Sequence, residues 1–294
     1  MKLSLRCKEC ILKKQRKAAG GFDESLTEKY MAAVKKTIDG FAEKEASPCI
    51  SARLRPLYAE YFGVPYPDDF RLKPQYNALM LGYENSMRED IKNASDSLLY
   101  ALRLAAVGNY IDFGAQHGVD DAELEKLLKS AGNIELNAET VSSFKNDLKT
   151  AKKLVYLTDN CGEIVCDKLL IEEMLGFSNA LSVSVIVRGA PVINDACIDD
   201  AEQVGLTALP VEVIGSGCAI AGTPLEYISS EARKKMENAD IIISKGQGNF
   251  ETLFPCGLNA YYLFLCKCAN FTEKFGLPEL SGVFANEKEL NAAE

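Results

Sequence analysis

Tryptophan is absent from the chain, and histidine occurs once, at His117. A single imidazole excludes His-rich zinc sites, and it leaves a histidine-based catalytic triad only if His117 is itself the base. Carboxylate chemistry on a hard cation gains by default. Basic charge is also short: 33 Lys and Arg stand against 42 Asp and Glu, giving a net charge of −9 and a pI of about 5.0. A nucleic-acid binder needs a basic surface to displace counterions, so no nucleic-acid partner is expected. One local basic cluster, Lys13, Lys14, Arg16 and Lys17, reads as a solvated helix face.

Long apolar runs are missing too. Nothing approaches the roughly 20 residues that span a bilayer. Met1 to Leu12 mixes charge with apolar residues and lacks the apolar core of a signal peptide. The expectation is a cytoplasmic protein with no membrane partner, in which the 10 cysteines are reduced thiols, packing residues or metal ligands.

What is present divides into two styles. Hydrophobic residues make up 47% of 294 residues, enough for a substantial core. Residues 1–150 read as helical. Ser25 can cap a helix running through Tyr30, Met31, Val34 and Ile38. Ser86 to Phe113 reads as one long helix with Ile91, Leu98, Leu99, Leu102 and Leu104 on its apolar stripe, and Asp121–Ser130 and Ala138–Ala151 as shorter ones. Pro65 to Asp69 reads as a loop.

Residues 151–294 alternate strand and helix. Leu154–Leu157, Leu181–Val187, Val211–Ile214 and Ile241–Ser244 are short apolar runs, separated by helical stretches at Glu163–Leu175, Asp199–Val204 and Leu225–Glu237. Such alternation predicts an α/β fold: a three-layer α/β/α sandwich with a mainly parallel sheet, carrying an N-terminal helical bundle. With no linker of low complexity, the two regions are expected to form one compact unit.

Ligands of open α/β sheets bind beyond the carboxyl ends of the strands. Here those ends read Thr158-Asp159-Asn160-Cys161-Gly162-Glu163, Arg188 through Asn194-Asp195, Gly215-Ser216-Gly217 leading to Gly222-Thr223, and Ser244-Lys245-Gly246-Gln247-Gly248-Asn249. All four bring glycines and polar side chains to one edge. Asp159, Asn160 and Asp195 offer hard oxygen ligands suited to Mg²⁺ or Mn²⁺. Lys245 is a cation that could pair with phosphate, and the glycines allow backbone N–H groups to approach an anion. Each feature also has a structural reading. Asp159-Asn160 and Asn194-Asp195 could be turns or helix caps, Glu163 could serve a helix dipole, and Lys245 could lie on the surface.

These segments, with Gly108-Asn109-Tyr110-Ile111-Asp112-Phe113-Gly114, resemble the damage-control phosphatase family, and Cys7-Lys8-Glu9-Cys10 resembles its prokaryotic CxxC-bearing branch. The resemblance spans residues 7 to about 268. It implies a divalent metal (Mg, Mn, Co or Ni) held by Asp159, Asn160 and Asp195, and hydrolysis of phosphomonoesters of small metabolites, sugar phosphates or damaged phosphometabolites among them. Lys245 and Asn249 would meet the phosphate or its surroundings. Asn109 and Asp112 would close the site from the helical half, with Arg188, Asn194 and Glu163 beside them. Ala219-Ile220-Ala221 is less polar than a sugar site suggests. A non-catalytic module that binds a phosphometabolite and a metal would use the same pocket. A methyltransferase would need a glycine-rich first turn, and the turn after the first strand has a single glycine, Gly162. The CxxC pair could be a redox couple, a fold element, or half of a structural metal site that Cys268 would help complete.

Overall fold

The protein is described by a computed structural model covering residues 3–68, 70–112, 120–177 and 180–291. His117, Phe113, Gly114 and Asp69 lie outside the described residues. Seven helices come first: α1 (Leu5–Ala18), α2 (Glu24–Phe41), α3 (Ser47–Phe62), α4 (Lys73–Asn93), α5 (Ser97–Gly108), α6 (Asp121–Lys129) and α7 (Ala138–Thr150). Then follow β1 (Lys153–Leu157), α8 (Glu163–Phe177), β2 (Ser182–Val187), α9 (Ile198–Gln203), β3 (Glu212–Gly215), α10 (Ser230–Glu237), β4 (Ile241–Lys245), α11 (Gly246–Leu253), β5 (Ala260–Leu265), α12 (Ala269–Phe275), β6 (Gly282–Asn286) and α13 (Glu287–Asn291). None of the described helices is long and apolar enough to cross a membrane.

The sheet order is β3-β2-β1-β4-β5-β6, parallel except for β6, which runs antiparallel to β5. This is the expected α/β architecture. Beyond the four expected strands, the sheet gains β5 and β6. All six residues of β5 are buried, so it shows no alternation to flag a strand. Sequential strands diverge from β1 in one direction and from β4 in the other, which creates a crevice between their carboxyl ends.

Alternation along each strand feeds two cores. Leu154 and Tyr156 of β1, with Ile241 and Ile243 of β4, face the layer containing α4, α5, α7 and α8. Val155, Leu157 and Ile242 face the opposite layer with Phe250 and Phe271. Ile11, Tyr30, Val34, Ile38, Ile50, Leu54 and Tyr58 make a third cluster that joins α1, α2 and α3.

Two helix boundaries differ from expectation. Asp23, not Ser25, caps α2, its side chain accepting from the Leu26 N–H. The stretch expected as one helix from Ser86 is split between α4 and α5. Asp96 accepts from the Leu99 N–H and so caps a new helix, a local bond that competes with helix continuation.

Phe250 is fully buried, with ring centroids of Tyr262 at 4.8 Å, Phe254 at 5.1 Å and Phe271 at 5.6 Å. Phe250→Ala should therefore lower unfolding free energy by about 3–5 kcal/mol, read as a shift of the urea midpoint at constant slope.

Candidate active site

The strand ends meet through their backbones. Past β1, the Asp159 carbonyl accepts from the Ala196 N–H at 2.7 Å, and Cys161 N–H donates to the Asn194 carbonyl at 2.8 Å. Asn160 and Asp195 thereby form an isolated antiparallel bridge. Ile193, just before it, has φ of 46°, a strained conformation for a β-branched residue, held by these bonds. Past β4, Gly246 has φ of 78°, and a Cβ there would stand 1.9 Å from Asp159 Oδ2. Only glycine lets β4 turn into α11 directly against that carboxylate.

Two carboxamides bind the acids together. Asn109, at the end of α5, donates Nδ2 to Asp159 Oδ2 at 3.0 Å and to Glu163 Oε2 at 2.9 Å. Asn160 Nδ2 donates to the same two oxygens at 2.8 and 2.9 Å. Facing two carboxylate oxygens fixes which amide atom is nitrogen, because oxygen there would repel. Asn109 Oδ1 accepts from the Leu265 N–H at 3.2 Å. Asn160 Oδ1 and Asp195 Oδ1 have no partner among the described residues.

Arg188 is fully buried along its side chain. It donates Nε to Asp195 Oδ2 at 2.5 Å, Nη2 to Asp159 Oδ1 at 3.5 Å and Nη1 to Thr223 Oγ1 at 3.3 Å. Thr223 in turn donates to Asn249 Oδ1 at 2.7 Å. Arg188 therefore sets the spacing of Asp159 and Asp195 from behind.

Two expected phosphate contacts sit elsewhere. Lys245 is wholly buried, and its three N–H groups go to Ala105 O at 2.8 Å, Glu163 Oε1 at 2.6 Å and Asp167 Oδ1 at 2.7 Å. No donor remains for a phosphate, so Lys245 joins β4 to α8 and α5. Asn249 spends both N–H groups on carbonyls, of Thr158 at 2.9 Å and Lys245 at 2.6 Å, bracing the ends of β1 and β4.

The helical half does reach the site. Asn194 Nδ2 donates to Ile111 O at 3.3 Å. Asp112 Oδ2 accepts from Lys267 Nζ at 2.6 Å, and the same ammonium donates to Asn109 O at 2.6 Å. Sequence reasoning passed over Lys267 as a site residue. It directly follows the apolar run of β5, so the strand-end rule would have found it had that run been read as a strand.

Charge is out of balance. Five carboxyl groups, Asp112, Asp159, Glu163, Asp167 and Asp195, share the bonded network with three cations, Arg188, Lys245 and Lys267. Burial, then the Glu163 and Asp195 charges, raises the Asp159 carboxyl well above the ordinary aspartate value, against Lys267 and Arg188. Burial pushes Asp195 up to about 6, against Arg188. Such crowding favours one more cation, and the partnerless Asn160 and Asp195 oxygens beside Asp159 are hard donors for it. Among the described residues no three His, Cys, Asp or Glu side chains form a metal-holding group. The candidate set has two carboxylates, and its third donor is the side-chain oxygen Asn160 Oδ1.

Among the described residues, no cysteine belongs to a group of three or more His, Cys, Asp or Glu side chains placed to hold a metal. Cys161 is fully buried, and burial raises its thiol pKa far above the usual range. Cys7, Cys10 and Cys268 are electrostatic neighbours around Glu251. Arg6, which pairs with Glu273 at 2.6 Å, holds α1 on α12 there. Burial raises the Cys7 and Cys268 thiols above the ordinary thiol range.

A sheet wound both ways from its centre, with an acid-and-amide cluster in the crevice, defines a doubly wound α/β protein with its site at the switch point. The chain belongs to the damage-control phosphatase family: the family model of the damage-control phosphatase ARMT1-like domain matches residues 3–281. It is 31% identical to an uncharacterized protein of Methanocaldococcus jannaschii, over 94% of this chain and 93% of that one. It is 37% identical to a protein of Pyrococcus horikoshii named damage-control phosphatase, over 61% of each. A protein of Archaeoglobus fulgidus with the same name is 27% identical, over 94% of this chain and 96% of the other. The crystal structure of a DUF89 family protein from Pyrococcus horikoshii superposes with a TM-score of 0.78 at 26% identity, covering 98% of this chain and 99% of that one.

Removing Lys245 leaves two buried carboxylates uncompensated. Lys245→Met should cost about 3–5 kcal/mol of stability, seen by urea unfolding. Asp167 gives a pH signature. Burial raises its pKa to about 6 from 3.8, so the native state binds its proton more tightly than the unfolded chain. Its contribution is present at low pH and declines as pH rises from about 4 to about 6. Asp167→Asn should flatten stability over that window; an unchanged slope would refute the assignment.

Proposed function

We propose that the chain is a metal-dependent phosphatase of small phosphometabolites, with sugar phosphates and damaged phosphate esters as its substrate classes. The observation that carries this reading is the pair of oxygens without a hydrogen-bond partner among the described residues, Asn160 Oδ1 and Asp195 Oδ1, beside Asp159 in a network short of positive charge. Membership of the damage-control phosphatase family, and the names of two relatives, support the reaction class.

Asp159, Asn160 and Asp195 would hold the divalent ion, with Mg²⁺, Mn²⁺, Co²⁺ and Ni²⁺ as candidates. When bound, the ion supplies electrophilic polarisation of a phosphoryl oxygen. The chain's own residues provide placement. Arg188 keeps Asp159 and Asp195 aimed at a common point, while Asn109 and Asn160 hold Asp159 against Glu163. Gly246 brings the start of α11 against the same carboxylate, where the helix N-terminus favours negative charge. Lys267, which donates to the Asn109 carbonyl and to Asp112, would offset negative charge that builds at the amide end of the site. Asp159 Oδ1, whose one contact among the described residues is the long one from Arg188, would either attack phosphorus or orient a water that does. A binding module that does not hydrolyse its ligand would use the same groups; turnover separates the two.

The test is hydrolysis of p-nitrophenyl phosphate by metal-stripped protein with each ion restored singly. Metal-dependent turnover is expected, reduced about 10²–10³-fold or more in Asp159→Ala and Asp195→Ala. Ion binding measured by calorimetry should weaken in both variants. Full activity in either variant refutes the assignment, and ion binding without turnover favours the binding module.

A further inference from the structure

We infer that Asn77 of α4 is a positioning residue of the ion site, tethering the turn that carries Asn160 to the segment that carries Asp195; this role rests on the phosphatase reading and the ion donors named in it.

Asn77 is fully buried, and both ends of its amide are engaged. Its Oδ1 accepts from the Gly162 N–H at 2.6 Å. Its Nδ2 donates to Asp200 Oδ1 at 2.9 Å and to Gln203 Oε1 at 2.8 Å. A backbone N–H only donates and a carboxylate only accepts, so turning the amide over would set like against like at both ends.

These bonds join two strand ends through a helix of the other half of the chain. Gly162 follows Cys161 in the turn between β1 and α8, just beyond Asn160. Asp200 lies in α9, the helix that follows Asp195. Its Oδ2 accepts from the Cys197 N–H at 2.8 Å and pairs with Lys73 Nζ at 2.7 Å. Lys73 and Asn77 are one turn apart on α4, so a single face of that helix holds Asp200 by both oxygens.

The turn depends on outside partners. Cys161 N–H donates to the Asn194 carbonyl at 2.8 Å, and the next N–H, that of Gly162, goes to Asn77. Two successive amides thus anchor the turn to different elements. Gly162 has φ of 70°, and a Cβ there would stand 2.9 Å from Ile111 Cδ1 and 3.3 Å from the Tyr76 carbonyl oxygen, so α4 presses directly on the turn. Asn160 takes its angle from this turn. Its Nδ2 is spent on Asp159 and Glu163, and its Oδ1 is the group offered to an ion. Without the Asn77 amide, the Gly162 N–H and Asp200 Oδ1 lose a buried partner together, and the turn is released from α9 on this side. Arg188 spaces Asp159 from Asp195; Asn77 does the same for the Asn160 turn, from α4.

The experiment titrates Mn²⁺ calorimetrically into metal-stripped wild type, Asn77→Ala and Gln203→Ala, with thermal unfolding to confirm that each is folded. Partners that orient ion ligands from outside are worth about 10–100-fold in affinity, and a loss of that size is expected in Asn77→Ala at unchanged stoichiometry. Gln203→Ala takes one acceptor from the same amide and leaves the Gly162 bond, so its affinity should fall less. A merely structural role reads differently: fewer competent sites, with the affinity of the remainder unchanged. That result, an affinity equal to wild type in Asn77→Ala, or equal losses in the two variants overturns the inference. If Asn77→Ala does not fold, Asn77→Ser, whose side chain is too short to span the two elements, is read against the same outcomes. Turnover of p-nitrophenyl phosphate, followed alongside, tests the phosphatase reading by itself. Wild type that binds Mn²⁺ without turnover counts against that reading, and the affinities still decide on Asn77. Wild type that binds no ion overturns the role of Asn77.

Discussion

Burying Lys245 without any exposure is the constraint on which the site depends. An ammonium taken from water is costly unless each of its protons finds an oxygen. Glu163 and Asp167, one turn apart on α8, supply two oxygens, and the Ala105 carbonyl of α5 supplies the third. The demand of one cation therefore locks a strand of the sheet to two helices of one flanking layer. Tyr156 donates to Asp167 at 2.8 Å and extends the lock to β1. Glu163, held on one oxygen by Lys245, offers its other oxygen to Asn109 and Asn160. Asp159 takes its position from those same amides. The groups facing the crevice are thus ordered by groups that never meet solvent.

This division explains how the site was legible and where it was not. Asp159, Asn160 and Asp195 could be found because they follow apolar runs with turn residues, and the strand-end rule places such residues at the crevice. The rule says where a residue begins, not where its side chain goes. Lys245 follows β4 as expected, yet its long stem turns inward to the acids of α8, and nothing local in Ser244-Lys245-Gly246 distinguishes that from a reach toward a ligand. Asn249 was likewise identified as important, but it works on backbone carbonyls. Lys267 was missed because β5 is buried throughout. A continuous apolar run next to two cysteines reads as a packing segment, and its partner β6 is antiparallel, outside the alternating pattern that revealed the other strands.

The helical half follows the same logic. The apolar stripe of α5 was legible from its spacing. The break before it was not, because Asn93 to Asp96 lacks proline or glycine and the interruption is a single side-chain cap. That break lets α5 run independently of α4 and end with Asn109 against Asp159. The expectation of Asn109 and Asp112 at the site came from resemblance; their bonds to Asp159, Glu163 and Lys267 give it a physical basis.

The order of these residues along the chain has a consequence for synthesis. Asn109 precedes Asp159 by 50 positions, and Lys267 follows Asn109 by 158. On a ribosome the amide emerges before the acids of β1 and α8, and the cation that binds the Asn109 carbonyl follows both. Until Lys267 emerges the carboxyl cluster lacks at least one of its three protein cations, and until Leu265 emerges it lacks the N–H that holds the Asn109 amide. A partly made chain therefore cannot present the finished crevice to metabolites, and the last strands of the sheet act as the step that completes it.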